Sequence, residues 1–202
     1  MGVKESFNKL IEWDHKVFLK IYRDETSRKY LFAAKIISFF GNIYFWIIIA
    51  IIIAIANYIT KDYYLSALFF GGFDQSFFFY ILMRYVIVKR NRPYITLRHH
   101  NVQKEDELTG EHKSFPSGHV TFFIFFCYLF AFYFNFWPFL LIGVMLGCII
   151  GITRITLGVH FPLDIIFGVV FGFVFSWFYL YVTAPYWVEF YCRVYDWLAA
   201  VF

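Results

Sequence analysis

Ser114-Phe115-Pro116-Ser117-Gly118-His119 is a polar turn that runs straight into the apolar stretch 120–130, which contains five phenylalanines. A helix this apolar on every side has no face to offer water, so it belongs in a core or a bilayer. Working outward, two further polar groups stand at the ends of hydrophobic segments. Thr153-Arg154 is followed by His160 and Asp164, and Arg92-Pro93 precedes them all. A small polar turn, two histidines, two arginines and a carboxylate in such places read as an anion site at a membrane surface.

Composition narrows the class. The chain has 202 residues, 61% hydrophobic and 26% aromatic, with a mean hydropathy of +0.62. Those values lie outside the range of soluble domains and fit one membrane-embedded unit over 1–202. The formal charge of +4 is modest, and the basic residues keep out of the long apolar runs. That distribution suits lipid head groups or phosphates and argues against nucleic acid as a partner. Cys127, Cys148 and Cys192 are too scattered for a disulfide framework or a metal knuckle. The first thirty residues are charged throughout, so no cleavable signal peptide is expected.

Read in order, segment 1–30 is amphipathic. Phe7, Leu10, Ile11, Trp13, Val17, Phe18 and Ile21 recur near helical spacing against Lys4, Lys9, Lys16, Lys20 and Arg23. This pattern fits a basic helix lying in the membrane interface, or a helix covering the bundle. The run 31–40 is too short to span and ends at Gly41-Asn42. Five spans are expected, at 43–59, 65–88, 118–136, 138–156 and 165–182, and part of 1–40 could add a sixth. Gly71-Gly72 would let helices approach closely. Asp74 and Gln75 fall inside the second span, and an intramembrane carboxylate is a functional candidate by default. Asp74, however, is more than three turns from the end that carries Arg92. The loop 89–115 is polar and long, and with Pro116 and Ser117 it forms a candidate catalytic loop over 89–117. The tail from Pro185 mixes tryptophans and tyrosines with charges, as an interfacial C-terminal helix would. The fold class is therefore an all-α integral membrane bundle of five or six spans with interfacial helices at both ends.

Hairpin counting puts the three polar groups on one membrane face, as a composite site needs. Ser117 and Gly118 precede a helix, where backbone N–H groups face an anion. Arg92 and Arg154 supply forked donors that match phosphate oxygens. His160 and Asp164 are four apart, so a helical turn sets the carboxylate beside the ring. A carboxylate on one ring nitrogen fixes the tautomer and frees the other as a nucleophile, leaving His119 as the acid. Each piece alone is ordinary, since Pro-Ser-Gly is a common turn and a His/Asp pair is often only a hydrogen bond or half a metal site. The specificity lies in the combination.

Pro116-Ser117-Gly118-His119 with Thr153-Arg154, His160 and Asp164 resembles the type 2 phosphatidic acid phosphatase (PAP2) superfamily, which includes the vanadium haloperoxidases. The similarity covers roughly 65–164. It implies that His160 attacks phosphorus and forms a phosphohistidine, that Asp164 supports it, and that His119 is the general acid. It further implies that Arg92, Ser117, Gly118 and Arg154 hold the phosphate and that no metal or other cofactor is used. The chain departs from the pattern twice. Thr153 stands where serine is usual, and Tyr85 stands where a lysine precedes the arginine by seven residues. Arg84 would take the lysine's place if the connection held one extra residue. Lys89 is the other candidate, and Arg84 is favoured. The haloperoxidase branch is disfavoured because those relatives are soluble.

The resemblance implies hydrolysis of a lipid phosphate monoester or diphosphate, with phosphotransfer to a second lipid as the alternative. Small bacterial-type members act on undecaprenyl diphosphate, phosphatidylglycerophosphate or the 1-phosphate of lipid A. The basic N-terminal helix sets lipid A slightly ahead. The resemblance also implies a bacterial inner membrane with the site away from the cytoplasm. Against that, many Lys and Arg residues fall on the catalytic face, where the positive-inside rule would put the cytoplasm.

Overall fold

A computed structural model describes residues 2–201. In chain order the helices are α1 (Val3–Tyr22), α2 (Glu25–Lys29), α3 (Leu31–Phe39), α4 (Ile43–Thr60), α5 (Tyr64–Ile81), α6 (Pro93–Thr96), α7 (Gly118–Tyr133), α8 (Pro138–Thr156), α9 (Pro162–Phe178) and α10 (Ala184–Val201). Among the described residues the only β pairing is one bridge between Asn91 and Lys113, which closes the base of the long loop.

Among the described residues, four segments are long and apolar enough to cross a membrane: Leu31–Thr60, Tyr64–Ile87, Pro138–Thr156 and Pro162–Leu198. The outward faces of α4 and α8 present Ile47, Ile51, Ile55, Leu141, Met145 and Ile152, a surface that only lipid would cover favourably. Helix α7 has 16 residues, fewer than the roughly 20 a lone span requires. It is the centre of the bundle. Phe125, Phe126, Ile124 and Leu129 are fully buried in it, so its neighbours, not its own length, keep it from water.

The punctuation follows local chemistry. Asn42 separates α3 from α4 by accepting the Tyr44 N–H at 3.1 Å, a side-chain N-cap. Gly71 and Gly72 do admit close neighbours. A Cβ on the first would come 2.6 Å from Trp187 Cβ, and one on the second 2.9 Å from Phe125 Cζ. The C-terminal helix continues from α9 through a π-helical segment, Tyr179–Thr183, and packs along α5. The combined Pro162–Leu198 run of 37 residues exceeds what a ~30 Å core needs at ~1.5 Å per residue. Its aromatic end therefore reaches the interface. Asp74 is exposed on α5 and takes the Tyr191 hydroxyl, while Gln75 accepts from Trp187 Nε1 at 2.8 Å. Both polar residues join α10 to α5 and lie outside the cavity described next.

Candidate active site

A cavity of about 390 Å³ opens at the end of the bundle where α5 finishes and α7 begins. Arg84, Arg92, Arg154, Gly118, His119 and His160 line its polar side, and Ile43, Trp46, Phe77, Tyr80 and Phe122 its apolar side. The three polar groups that are far apart in sequence therefore meet at one depth. Ser117 and Asp164 sit directly behind this lining. Lys89 faces a different groove, beside α1.

Arg84 reaches the site because the backbone absorbs a residue. Residues Leu82–Ile87 form a π-helical turn, with the Val88 N–H bonded to the Met83 carbonyl at 2.9 Å. Such a turn holds one residue more than an α-helical one. Arg84 lines the cavity, and Tyr85, seven before Arg92, does not. The guanidinium is 1% exposed, bonds the carbonyls of Lys113 and Pro116, and pairs with Glu111 Oε2 at 2.8 Å.

Arg92 is fixed from two sides. Its Nε donates to the Glu111 carbonyl at 2.7 Å and its Nη1 to the Val159 carbonyl at 2.9 Å. Arg154 donates to Ser38 Oγ and Asp106 Oδ2, both at 2.7 Å, and to Thr109 Oγ1 at 2.8 Å. Its Nε is buried with no partner. Burial pushes the Asp106 carboxyl up, but Arg154 and the Thr109 and Leu108 hydrogen bonds hold it below the usual carboxylate value. Thr153 keeps its hydroxyl on the Ile150 carbonyl and serves the helix, not the cavity.

At the head of α7, Ser117 is the N-cap residue and its buried Oγ has no partner. Its N–H donates to the Asp164 carbonyl at 3.0 Å, tying α7 to α9. Gly118 is required by a close approach, since a Cβ there would lie 2.7 Å from Tyr80 Oη. His119 Nε2 is buried and also unpartnered. Three orphaned polar atoms around one cavity (Ser117 Oγ, His119 Nε2, Arg154 Nε) mark a place built for a polar occupant, because such groups are costly to bury unpaired.

His160 stands on the turn between α8 and α9, 1% exposed. Gly158 makes that turn with φ +75°, and any side chain there would run into the Gln103 carbonyl. His160 Nδ1 lies 3.5 Å from Asp164 Oδ2, and Nε2 lies 3.3 Å from Arg92 Nη1. Burial lowers the His160 pKa well below the ordinary imidazole value, and the Arg92, Arg154 and Arg84 cations lower it further. The shift favours the neutral ring, whose Nε2 faces the cavity and Arg92. No group of three or more His, Cys, Asp and Glu among the described residues converges as a metal site would.

A family model described as the PAP2 superfamily matches residues 78–187. The chain belongs to the PAP2 superfamily. Neither a curated protein nor a solved structure matches it significantly. The PAP2 match begins inside α5, so α1, α3 and α4 lie outside it, although Ser38 and Trp46 help build the site. Membership makes the chain a phosphatase-type protein for phosphorylated, lipid-like substrates, set in a membrane.

Sequence reasoning missed several residues. Glu111 and Asp106 belong to the polar loop 89–115, and each faces an arginine of the cavity. Asp14 is fully buried. It stood in plain view on the stripe Phe7, Ile11, Phe18 and Ile21, where a lone carboxylate at helical spacing was the available signal.

Proposed function

We propose that this PAP2 protein is a metal-independent phosphatase that hydrolyses a phosphate monoester or diphosphate of a membrane lipid through a phosphohistidine on His160. The observation that carries this reading is the buried His160, with Nδ1 toward Asp164 and Nε2 toward the arginine-lined cavity. The Nε2 lone pair attacks phosphorus as the bond to the lipid oxygen breaks. His119, protonated under the influence of the bound phosphate's charge, gives its proton to the departing alkoxide. Water then attacks phosphorus, His119 takes the water's proton, and the P–N bond breaks to release orthophosphate and restore His160. Arg84, Arg92 and Arg154, with the Ser117 hydroxyl and the α7 N-terminus at Gly118, hold the phosphoryl oxygens as charge develops.

The apolar wall of Trp46, Phe77 and Phe122 suits the first methylenes of a lipid. Among lipid phosphates the 1-phosphate of lipid A is the preferred candidate. The N-terminal half of α9 packs against α1, whose Lys4, Lys16 and Lys20, with Arg23 just beyond its end, are exposed and can meet a large, multiply anionic head group. Undecaprenyl diphosphate and phosphatidylglycerophosphate are the competing substrates. We place the site on the extracytoplasmic face of a bacterial inner membrane, as the family resemblance implies.

The test is phosphate release by purified protein in detergent micelles over a panel of these lipid phosphates, in excess EDTA and with no acceptor lipid. Turnover is expected, together with an acid-labile, alkali-stable phosphoprotein that is absent in His160→Ala. Loss of activity in EDTA with recovery on adding Mg²⁺ or Zn²⁺ would sink the reading. A strict need for an acceptor lipid would make the protein a phosphotransferase.

A further inference from the structure

Helix α1 lies along the bundle with most of one side exposed, yet it buries one charge completely. Asp14 has no exposed surface. Its Oδ1 accepts the Leu163 N–H at 2.8 Å, across 149 residues of chain, and its Oδ2 accepts from Arg90 Nη2. The other terminal nitrogen of Arg90 donates to Asp164 Oδ1 at 3.1 Å. The guanidinium also lies over the Phe161 ring, 4.1 Å from its centroid, and His15 stacks on the same ring at 4.9 Å. Asp164 Oδ2 accepts the Phe161 N–H at 2.8 Å and faces His160 Nδ1. One guanidinium thus bridges two buried carboxylates, and the second of them is the partner of the nucleophile.

Stability alone does not account for this arrangement. A buried carboxylate is expensive even when paired, and an apolar residue of similar size on the inner face of α1 would hold the helix at least as well. Burial does raise the Asp14 pKa, against the pull of Arg90 and the Leu163 N–H. The geometry gains direction. Arg90 is 20% exposed along its side chain, and a long side chain at the surface otherwise samples many rotamers. With Nη2 held by Asp14, Nη1 is aimed at Asp164 Oδ1. The carboxylate is then gripped on one oxygen by Arg90 and on the other by Phe161 N–H. Its plane, and so the His160 ring, is set from outside the cavity.

We propose that Asp14 and Arg90 are positioning residues for catalysis, an ionic strut through which α1 aligns Asp164 and His160. This rests on the phosphohistidine reading above. It also gives α1 a task beyond lying on the membrane, since the alignment of the nucleophile is completed by a helix outside the PAP2 match.

The test uses full-length protein in detergent, with dioleoyl phosphatidic acid and p-nitrophenyl phosphate as substrates and inorganic phosphate as a competitive inhibitor. Asp14→Asn keeps an acceptor for Leu163 and loses the charge on Arg90. It should lower kcat by about tenfold to a hundredfold, the scale on which small misplacements of reacting groups act. KM and the phosphate Ki should stay within about twofold, because the cradle arginines are untouched. Arg90→Lys should recover more kcat than Arg90→Met. In an Asp164→Asn background, Asp14→Asn should add less than about a further twofold, since the strut then has nothing to align. Full kcat in Asp14→Asn overturns the strut, as do equal losses in kcat and phosphate affinity, or losses that multiply in the double variant. Should Asp14→Asn fail to fold, the Arg90 pair and its cycle with Asp164→Asn decide the matter alone. A His160→Ala arm separates the two claims, because turnover surviving there would remove the phosphohistidine reading itself.

Discussion

Arg92 Nη1 lies 3.3 Å from His160 Nε2, the nitrogen proposed to attack phosphorus. A guanidinium so close disfavours a second proton on the ring. Arg92 Nη1 also donates to the Val159 carbonyl, which fixes the guanidinium beside the ring. Arg92 thus adds to burial in disfavouring a second proton on His160, and in the proposed reaction the same cation would serve the substrate.

That relation sets a pH dependence. Burial and then the three arginines lower the His160 pKa, so the neutral ring persists below the ordinary value of about 6.5. The acid limb of kcat/KM that belongs to His160 should lie below that pH, with activity falling as pH drops through it. Removing a cation raises the ring pKa, so Arg92→Gln should move the limb upward. Comparing both proteins on one substrate cancels the substrate's own ionisation. A limb that stays in place would mean that Arg92 does not govern the ring.

Glu111 pairs with Arg84 while its own side chain is 51% exposed, so in the proposed reaction its carboxylate would compete with a phosphoryl oxygen for that guanidinium. Glu111→Gln should lower the Ki for inorganic phosphate by about two- to fivefold, the scale of a solvent-screened ion pair. A raised Ki would show that Glu111 orients Arg84 and does not compete for it.

Arg84 and Lys89 should separate cleanly. Arg84→Ala removes a buried donor from the cavity and should cut turnover about a hundredfold or more, on the scale of lost transition-state donors. Lys89→Ala, in a separate groove, should stay within about twofold. Equal small effects would make Arg84 a structural brace for the Lys113 and Pro116 carbonyls.

Orthovanadate, which can become five-coordinate like the transition state, should inhibit at low concentration. Arg154→Ala should weaken that inhibition and turnover together. An unchanged vanadate affinity would remove Arg154 from the cradle.

The two histidines should differ by leaving group. A lipid alkoxide needs a proton, and general acid catalysis contributes roughly 10²–10⁴-fold. His119→Ala should therefore lose far more activity on dioleoyl phosphatidic acid than on p-nitrophenyl phosphate, whose phenolate leaves unaided. His160→Ala should lose both alike. Equal losses in His119→Ala would make that histidine a phosphate binder.

The sequence by itself determined the membrane bundle, because hydropathy and segment length are local properties that no distant contact has to supply. It also determined the polar motifs, since Ser117-Gly118-His119, Arg154, His160 and Asp164 each stand at a helix end that apolar patterning locates. It raised the Arg84 question through spacing, and only the structure showed Arg84 in the cavity lining behind a π-helical turn, because such a turn is a backbone choice that side-chain packing decides. Tertiary structure alone placed Asp14 beside Leu163, Glu111 on Arg84 and Asp106 on Arg154. Those pairs join segments far apart in the chain. A carboxylate on an amphipathic helix or a loop reads the same whether water or a guanidinium waits opposite it. For Asp14 and Asp106 the difference is made by burial, which strips the water away and leaves the opposite charge as the partner each carboxylate requires. For half-exposed Glu111 it is the buried Arg84 that requires the partner.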